Sequence, residues 1–357
     1  MKLTGDSFIT TLTLLLAVTS AVSGCPPSDR AALLSFRAAL TEPYLGIFNT
    51  WSGADCCSKW YGVSCDPETK RVTDIILRGE SEDPIFEKTG RSGYMTGSIS
   101  SSLCQLDRLT TLVIADWKAI SGDIPPCVTS LGRLRILDLI GNKISGEIPA
   151  DIGKLIRLTM LNLADNQISG SIPASIVNLN SLKHLDLNIG KLSMMSRALL
   201  SRNQLTGSIP SSFAKINRLA DLDLSMNQIT GSIPAQLGSM PVLSTLSLDT
   251  NKLSGQIPTS LLSNTGLNIL NLSRNSLEGN LPDVFGPNSY FNALDLAYNN
   301  LRGSIPKSLS KAKYIGHLDL SHNHLCGSIP SGTPFDHLEA SSFDNNDCLC
   351  GVPLRAC

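Results

Sequence analysis

The chain of 357 residues carries 29 Lys and Arg against 30 Asp and Glu, a net charge of -1. That balance excludes a protein that grips nucleic acid by neutralising phosphates, and equally a polybasic membrane binder. Hydrophobic residues make up 42%, enough for a large core, and the length fits two compact domains or one elongated array. At the N-terminus, Lys2 precedes an apolar stretch over 8–22, and Ala21-Val22-Ser23 offers small residues for cleavage. This predicts a secretory signal peptide over 1–23. No later stretch approaches the roughly 18 apolar residues of a membrane span. The 10 cysteines agree with an oxidising compartment, so a secreted, extracellular or cell-wall protein is expected.

Internal repetition dominates the remainder of the chain. Asn142 and Asn166 are 24 residues apart, and the same step relates Asn203, Asn227, Asn251, Asn275, Asn299 and Asn323. Around each the text is nearly constant, as in Leu222-Asp-Leu-Ser-Met-Asn227-Gln-Ile-Thr-Gly-Ser-Ile-Pro234. The two Leu alternate with polar residues, as in a half-buried strand. One such turn cannot bury its apolar face alone, so the turns must stack. Each Asn sits where the strand turns away, placed to hydrogen-bond backbone groups of neighbouring turns. The following Gly permits a tight backbone, and Ile-Pro returns along the outer side. Strands are expected near 72–77, 109–114, 134–139, 158–163, 182–187, 195–200, 219–224, 243–248, 267–272, 291–296 and 315–320. Ahead of them, 28–40 reads as a capping helix with Ser28 as N-cap and Leu33, Phe36 and Leu40 on one face.

Two stretches depart from the period. Residues 78–94 lengthen the first turn with Gly, Pro and charge, and read as a surface loop, either for recognition or merely tolerated. From Asn166 to Asn203 is 37 residues, and Gly190 occupies the expected ladder position. Either an in-frame piece of coding sequence has been lost, or the solenoid carries a notch. A notched stack is expected to kink or open near 188–198.

No catalytic constellation is present: the P-loop, HExxH, GxSxG and post-strand GxGxxG patterns are all missing. Neither an enzyme nor a cofactor or metal site is expected. His322 and His324 flank a ladder Asn and read as polar turn residues. The better candidate is the concave sheet face. Its central column reads Asp138, Asn162, Asp186, Leu199, Asp223, Ser247, Asn271, Asp295 and Asp319, with His184, Arg197, Asp221, Asp249, His317 and Ser321 beside it. This mildly acidic strip could dock a basic partner or sugar hydroxyls; the bland reading is that the Asp residues only solvate the strand. Asn271-Leu-Ser273 is a glycosylation sequon on the same strip.

The LxLxxNxLxGxIP text resembles the plant-specific class of leucine-rich repeats. The resemblance implies a right-handed α/β solenoid of about eleven repeats over 71–330, between an N-terminal cap over 24–70 and a C-terminal cap over 331–357. The run Trp51…Cys56-Cys57-Ser-Lys-Trp60-Tyr-Gly-Val-Ser-Cys65-Asp66 matches the N-terminal cap signature. By resemblance, Cys25 pairs with Cys56, Cys57 with Cys65, Cys326 with Cys348 and Cys350 with Cys357. Cys104 and Cys127 lie about one turn apart and are a candidate further pair. The chain is similar to the secreted plant group that includes polygalacturonase inhibitors. It is closer still to those carrying a DNA-damage-repair/toleration label, through 115–122, 198–201, 285–290, 315–326 and 334–340. This implies a non-enzymatic apoplastic binding protein in defence or stress. The ligand would be a protein or a wall polysaccharide, with a membrane receptor kinase as the alternative partner. The chain is expected to act as a monomer. Charge and export signal argue against the DNA-repair label.

Overall fold

The computed structural model describes residues 24–80, 86, 93–180, 196–332 and 335–357. The predicted signal peptide, the strand expected at 182–187 and most of the long first-turn loop therefore lie outside the described residues. The chain opens on an α-helix, Pro27–Ala38, with Pro in its first turn and Arg37 in its last. Ala32, Leu33 and Phe36 are buried on one side. Ser28 is not the N-cap: Pro26 holds that position, and the Ser28 hydroxyl bonds Asp29 instead. The fixed φ of proline suits the first helical turn, so the helix starts earlier than the Ser suggested. Leu40 leaves the helix for a short strand, Leu40–Thr41, paired with Met95–Ser98.

Among the described residues the main sheet has eleven strands. Ten are parallel, one per turn, from Val72–Arg78 to Tyr314–Asp319, and antiparallel Val63–Cys65 closes the N-terminal edge. On the outer side the arms form narrower sheets. From Gly122 to Gly327 the arm glycines have φ between +70° and +105°, a region a side chain would strain. Leu and Ile from every turn fill one continuous core. No single turn contains that core, so each turn is stable only through its neighbours.

Asparagines tie the turns together. The Asn227 Nδ2 donates to the carbonyls of Leu200, Leu224 and Ser225 at 3.0–3.1 Å. Its Oδ1 accepts from Leu205 N at 3.0 Å. Asn166, Asn203, Asn251, Asn275, Asn299 and Asn323 repeat this pattern. Asn142 donates the same way, to Ile114 O at 2.8 Å, but its buried Oδ1 has no partner. One further rung escapes the period. Asn346 donates to Leu320 O and accepts from Leu325 N. It lies 23 residues after Asn323, one short of the step that reveals the others.

At the long step the described turns on either side pair directly. Arg197–Leu199 pairs directly with Met160–Asn162, residue for residue. Leu163 N donates to Leu199 O at 2.8 Å, and Asn203 bonds both Leu163 O and Ile168 N. Among the described residues the sheet has ten parallel strands, and the strand expected at 182–187 lies outside them. Hydrogen bonds of the ordinary repeat join the described turns across the step, while 188–195 of the expected kink or opening lie outside the described residues.

Five disulfides join Cys25–Cys56, Cys57–Cys65, Cys104–Cys127, Cys326–Cys348 and Cys350–Cys357. The first-turn loop closes at its neck, where Gly93 N donates to Gly79 O at 2.6 Å.

Replacing Asn227 by Ala removes four hydrogen bonds and strands buried carbonyls. The expected loss is on the order of 3 kcal/mol by urea unfolding. Asn142→Ala, whose oxygen accepts nothing, should destabilise less. Equal losses would contradict this role for the ladder.

Candidate binding face

Register places one residue per turn in the central row of the concave sheet. The row runs Ile76, Val113, Asp138, Asn162, Leu199, Asp223, Ser247, Asn271, Asp295 and Asp319. A parallel row runs Asp74, Thr111, Ile136, Met160, Arg197, Asp221, Thr245, Ile269, Ala293 and His317. Asp186 and His184 lie outside the described residues, and Asn162 neighbours Leu199 directly. The face is not uniformly acidic. Its N-terminal half presents Ile76, Ile136, Met160 and Leu199, exposed or half-buried. Asp221, Asp223, Asp249, Asp295 and Asp319 gather in the C-terminal half.

The acids differ in what they are free to do. Asp138 is buried and bound to Arg78 at 2.9 Å, and Asn162 is buried too. Asp221 pairs with Arg197 at 3.1 Å. Asp223, Asn271, Asp295 and Asp319 each accept from the backbone N–H two residues on, at 2.9–3.0 Å. This local turn explains why Asp or Asn recurs there: the strand end needs a short side-chain acceptor. In each case the bond is taken by a single side-chain oxygen, Oδ1. Neither Asp249 nor Asp295 is in an ion pair among the described residues. Burial pushes the Asp249 carboxyl above its usual range, with Asp223 and Asp295 adding repulsion. Burial raises Asp295 as well, aided by Asp319 and opposed by the Ala297 N–H, the Ser273 hydroxyl and His317.

The edges of the face carry aromatic groups that the repeat pattern alone does not single out. The residue before each ladder Asn is left-handed, with φ of +52° to +55° at Asp165, Arg202, Met226, Thr250, Arg274, Tyr298 and His322. This geometry lines their side chains up from turn to turn. The Arg274 guanidinium lies 4.0 Å from the Tyr298 ring centre, and Tyr298 stacks on His322 at 3.9 Å. At the strand starts, Tyr290 stacks on Tyr314 at 4.9 Å, both exposed. His324 instead contacts Asp347 at 3.0 Å, so the two histidines beside Asn323 serve different contacts. Among the described residues, the grouping compact enough for a metal ion is Cys56, Cys57 and Cys65. All three sulfurs are already in disulfides.

The raised carboxyls carry a pH signature. A carboxyl with a raised folded pKa contributes stability below its unfolded pKa and loses it as pH rises through the folded value. Asp295→Asn keeps the acceptor for Ala297 N–H and removes the charge. Its melting temperature should exceed that of the unsubstituted protein at pH 7, with the gap closing toward pH 3. A lower melting temperature at pH 7 would refute the assignment.

Comparison with known proteins adds independent information. Residues 26–66 match the leucine rich repeat N-terminal domain. Residues 133–155, 157–179, 218–240, 266–288, 291–312 and 315–335 match the Leucine Rich Repeat. Over 145 residues the chain is 60% identical to DNA damage-repair/toleration protein DRT100 of Arabidopsis thaliana, covering 40% of this chain and 39% of that one. It is 33% identical over 138 residues to Polygalacturonase inhibitor 1 of Oryza sativa subsp. japonica, covering 37% of each. The matches thus span about two fifths of these relatives' own length. Among solved structures, a plant ice-binding protein superposes with a TM-score of 0.77 at 29% identity, over 93% of this chain and 98% of that one. The PEPR1-AtPEP1 structure gives 0.71 at 29% identity, over 91% of this chain and 46% of that one. Family matches, parallel stack and asparagine ladder together place this chain among the leucine-rich repeat proteins, with relatives in plants.

Proposed function

We propose that this is a secreted, non-enzymatic binding protein whose concave face docks a basic segment of an extracellular protein. The observation that carries this reading is the pair Asp249 and Asp295. Both are partly buried carboxylates on the concave side, and neither is in an ion pair among the described residues. A Lys or Arg delivered there relieves their repulsion and takes up charge already stripped of much of its water. The five disulfides and the N-terminal apolar stretch support an extracellular location. The names of the relatives support pectin-cleaving enzymes as the first partners to try. A solved neighbour is the Arabidopsis receptor kinase HAESA in complex with the peptide hormone IDA and the co-receptor SERK1, which supports protein recognition by this fold. An anionic wall polysaccharide such as pectin fits poorly, because the C-terminal half of the face would repel it. The net charge of -1 argues against DNA as the ligand, which is bound by neutralising phosphates.

The test is binding of immobilised mature protein to a panel of polygalacturonases of differing charge, with a receptor ectodomain as comparison. Affinity should favour basic partners and fall as salt rises from about 50 mM to about 500 mM. The double substitution Asp249→Asn with Asp295→Asn should weaken binding by about tenfold or more. Salt-independent binding, or a double variant that binds equally well, would sink this reading.

A further inference from the structure

Beyond docking, the C-terminal half of the concave face holds a candidate modification site. Asn271-Leu-Ser273 is the sole sequon of the chain. Asn271 stands in the central row, in register with Ser247 on one side and Asp295 on the other. It is half-buried rather than enclosed. Its Oδ1 is held by Ser273 N at 3.0 Å and Ser273 Oγ at 2.8 Å. That fixes the amide orientation, and its Nδ2 makes no hydrogen bond among the described residues. Several surrounding positions are short, Thr245 and Ser247 on the preceding strand and Ala293 on the following one, while Ile269 and Asp295 complete its neighbourhood. A substituent on Nδ2 therefore has room above the sheet. The ladder asparagines differ sharply, because each spends its Nδ2 on three carbonyls inside the stack.

We infer that Asn271 carries an N-linked glycan that covers the acidic half of the concave face. In the transfer, Nδ2 gives up one proton and bonds the anomeric carbon of an oligosaccharide, and the lipid pyrophosphate that carried the sugar leaves. Neighbouring strands are about 4.8 Å apart. A branched sugar is several times wider, so it overlies both Asp249, one turn before, and Asp295, one turn after. If the docking reading holds, the glycan sets which form of the protein is open to a partner; the covering itself does not depend on that reading.

The test uses full-length protein secreted from a glycosylating host, beside Asn271→Gln and Ser273→Ala from the same host. Ser273→Ala keeps the asparagine and removes the acceptor hydroxyl, so it serves if Asn271→Gln fails to fold. Intact and peptide mass spectrometry should find sugar on Asn271 in the unsubstituted chain and in neither variant. Carbodiimide labelling of Asp249 and Asp295 should be several-fold slower in the glycosylated form, with the distant, exposed Asp151 as unchanged reference. A secreted chain bare at Asn271 would overturn the inference. So would a glycosylated chain whose two carboxylates label as fast as in the variants. Because no partner is used, failure of the docking reading leaves this result intact.

Discussion

The backbone of a single turn has donors and acceptors that no residue of that turn can satisfy, and the asparagine ladder answers that need. Each buried side-chain amide spends its nitrogen on carbonyls of its own and the preceding turn. Its oxygen goes to an N–H of that preceding turn's outer arm. Unpaired, those groups would each carry a desolvation penalty of about 1–3 kcal/mol. The ladder therefore sets the register of the sheet, and the sheet sets which residues face the concave side. Position along the concave row is thus a consequence of hydrogen bonding deep in the stack, well away from solvent.

The long step shows how far this constraint reaches. Residues 182–187 read as a strand as convincingly as any other, with the same alternation of Leu and polar residues. Yet Asn203, 37 residues beyond Asn166, makes the same bonds to the turn before it as its 24-residue counterparts do. The ladder thus joins the described turns on either side of the step without the expected rung at Gly190, which lies outside the described residues. The concave row closes up accordingly, bringing Leu199 beside Asn162.

Much of this was legible because repetition turns a weak local signal into a strong one. The fold class, the eight spaced ladder residues and the strand positions all follow from one period. Asn346 escaped because its spacing is one residue short. The role of Asp223, Asp295 and Asp319 was only half legible. Their place on the face is a matter of alternation, but their capping of the N–H two residues on depends on how the strand end bends. The same residue type serves capping and binding, so composition cannot separate the two. The stack of Arg274, Tyr298 and His322 was invisible for a different reason. It depends on a left-handed backbone that non-glycine residues adopt only because the ladder beside them holds it.

A ladder that runs unbroken through the long step is the claim on which the geometry of the face rests. Backbone hydrogen exchange reads it directly. The Ile168 amide, held by Asn203 across the step, should be protected to the same degree as the Leu205 amide, held by Asn227 across an ordinary one. Rapid exchange at Ile168 beside slow exchange at Leu205 would mean that the stack is split there, and the binding face with it.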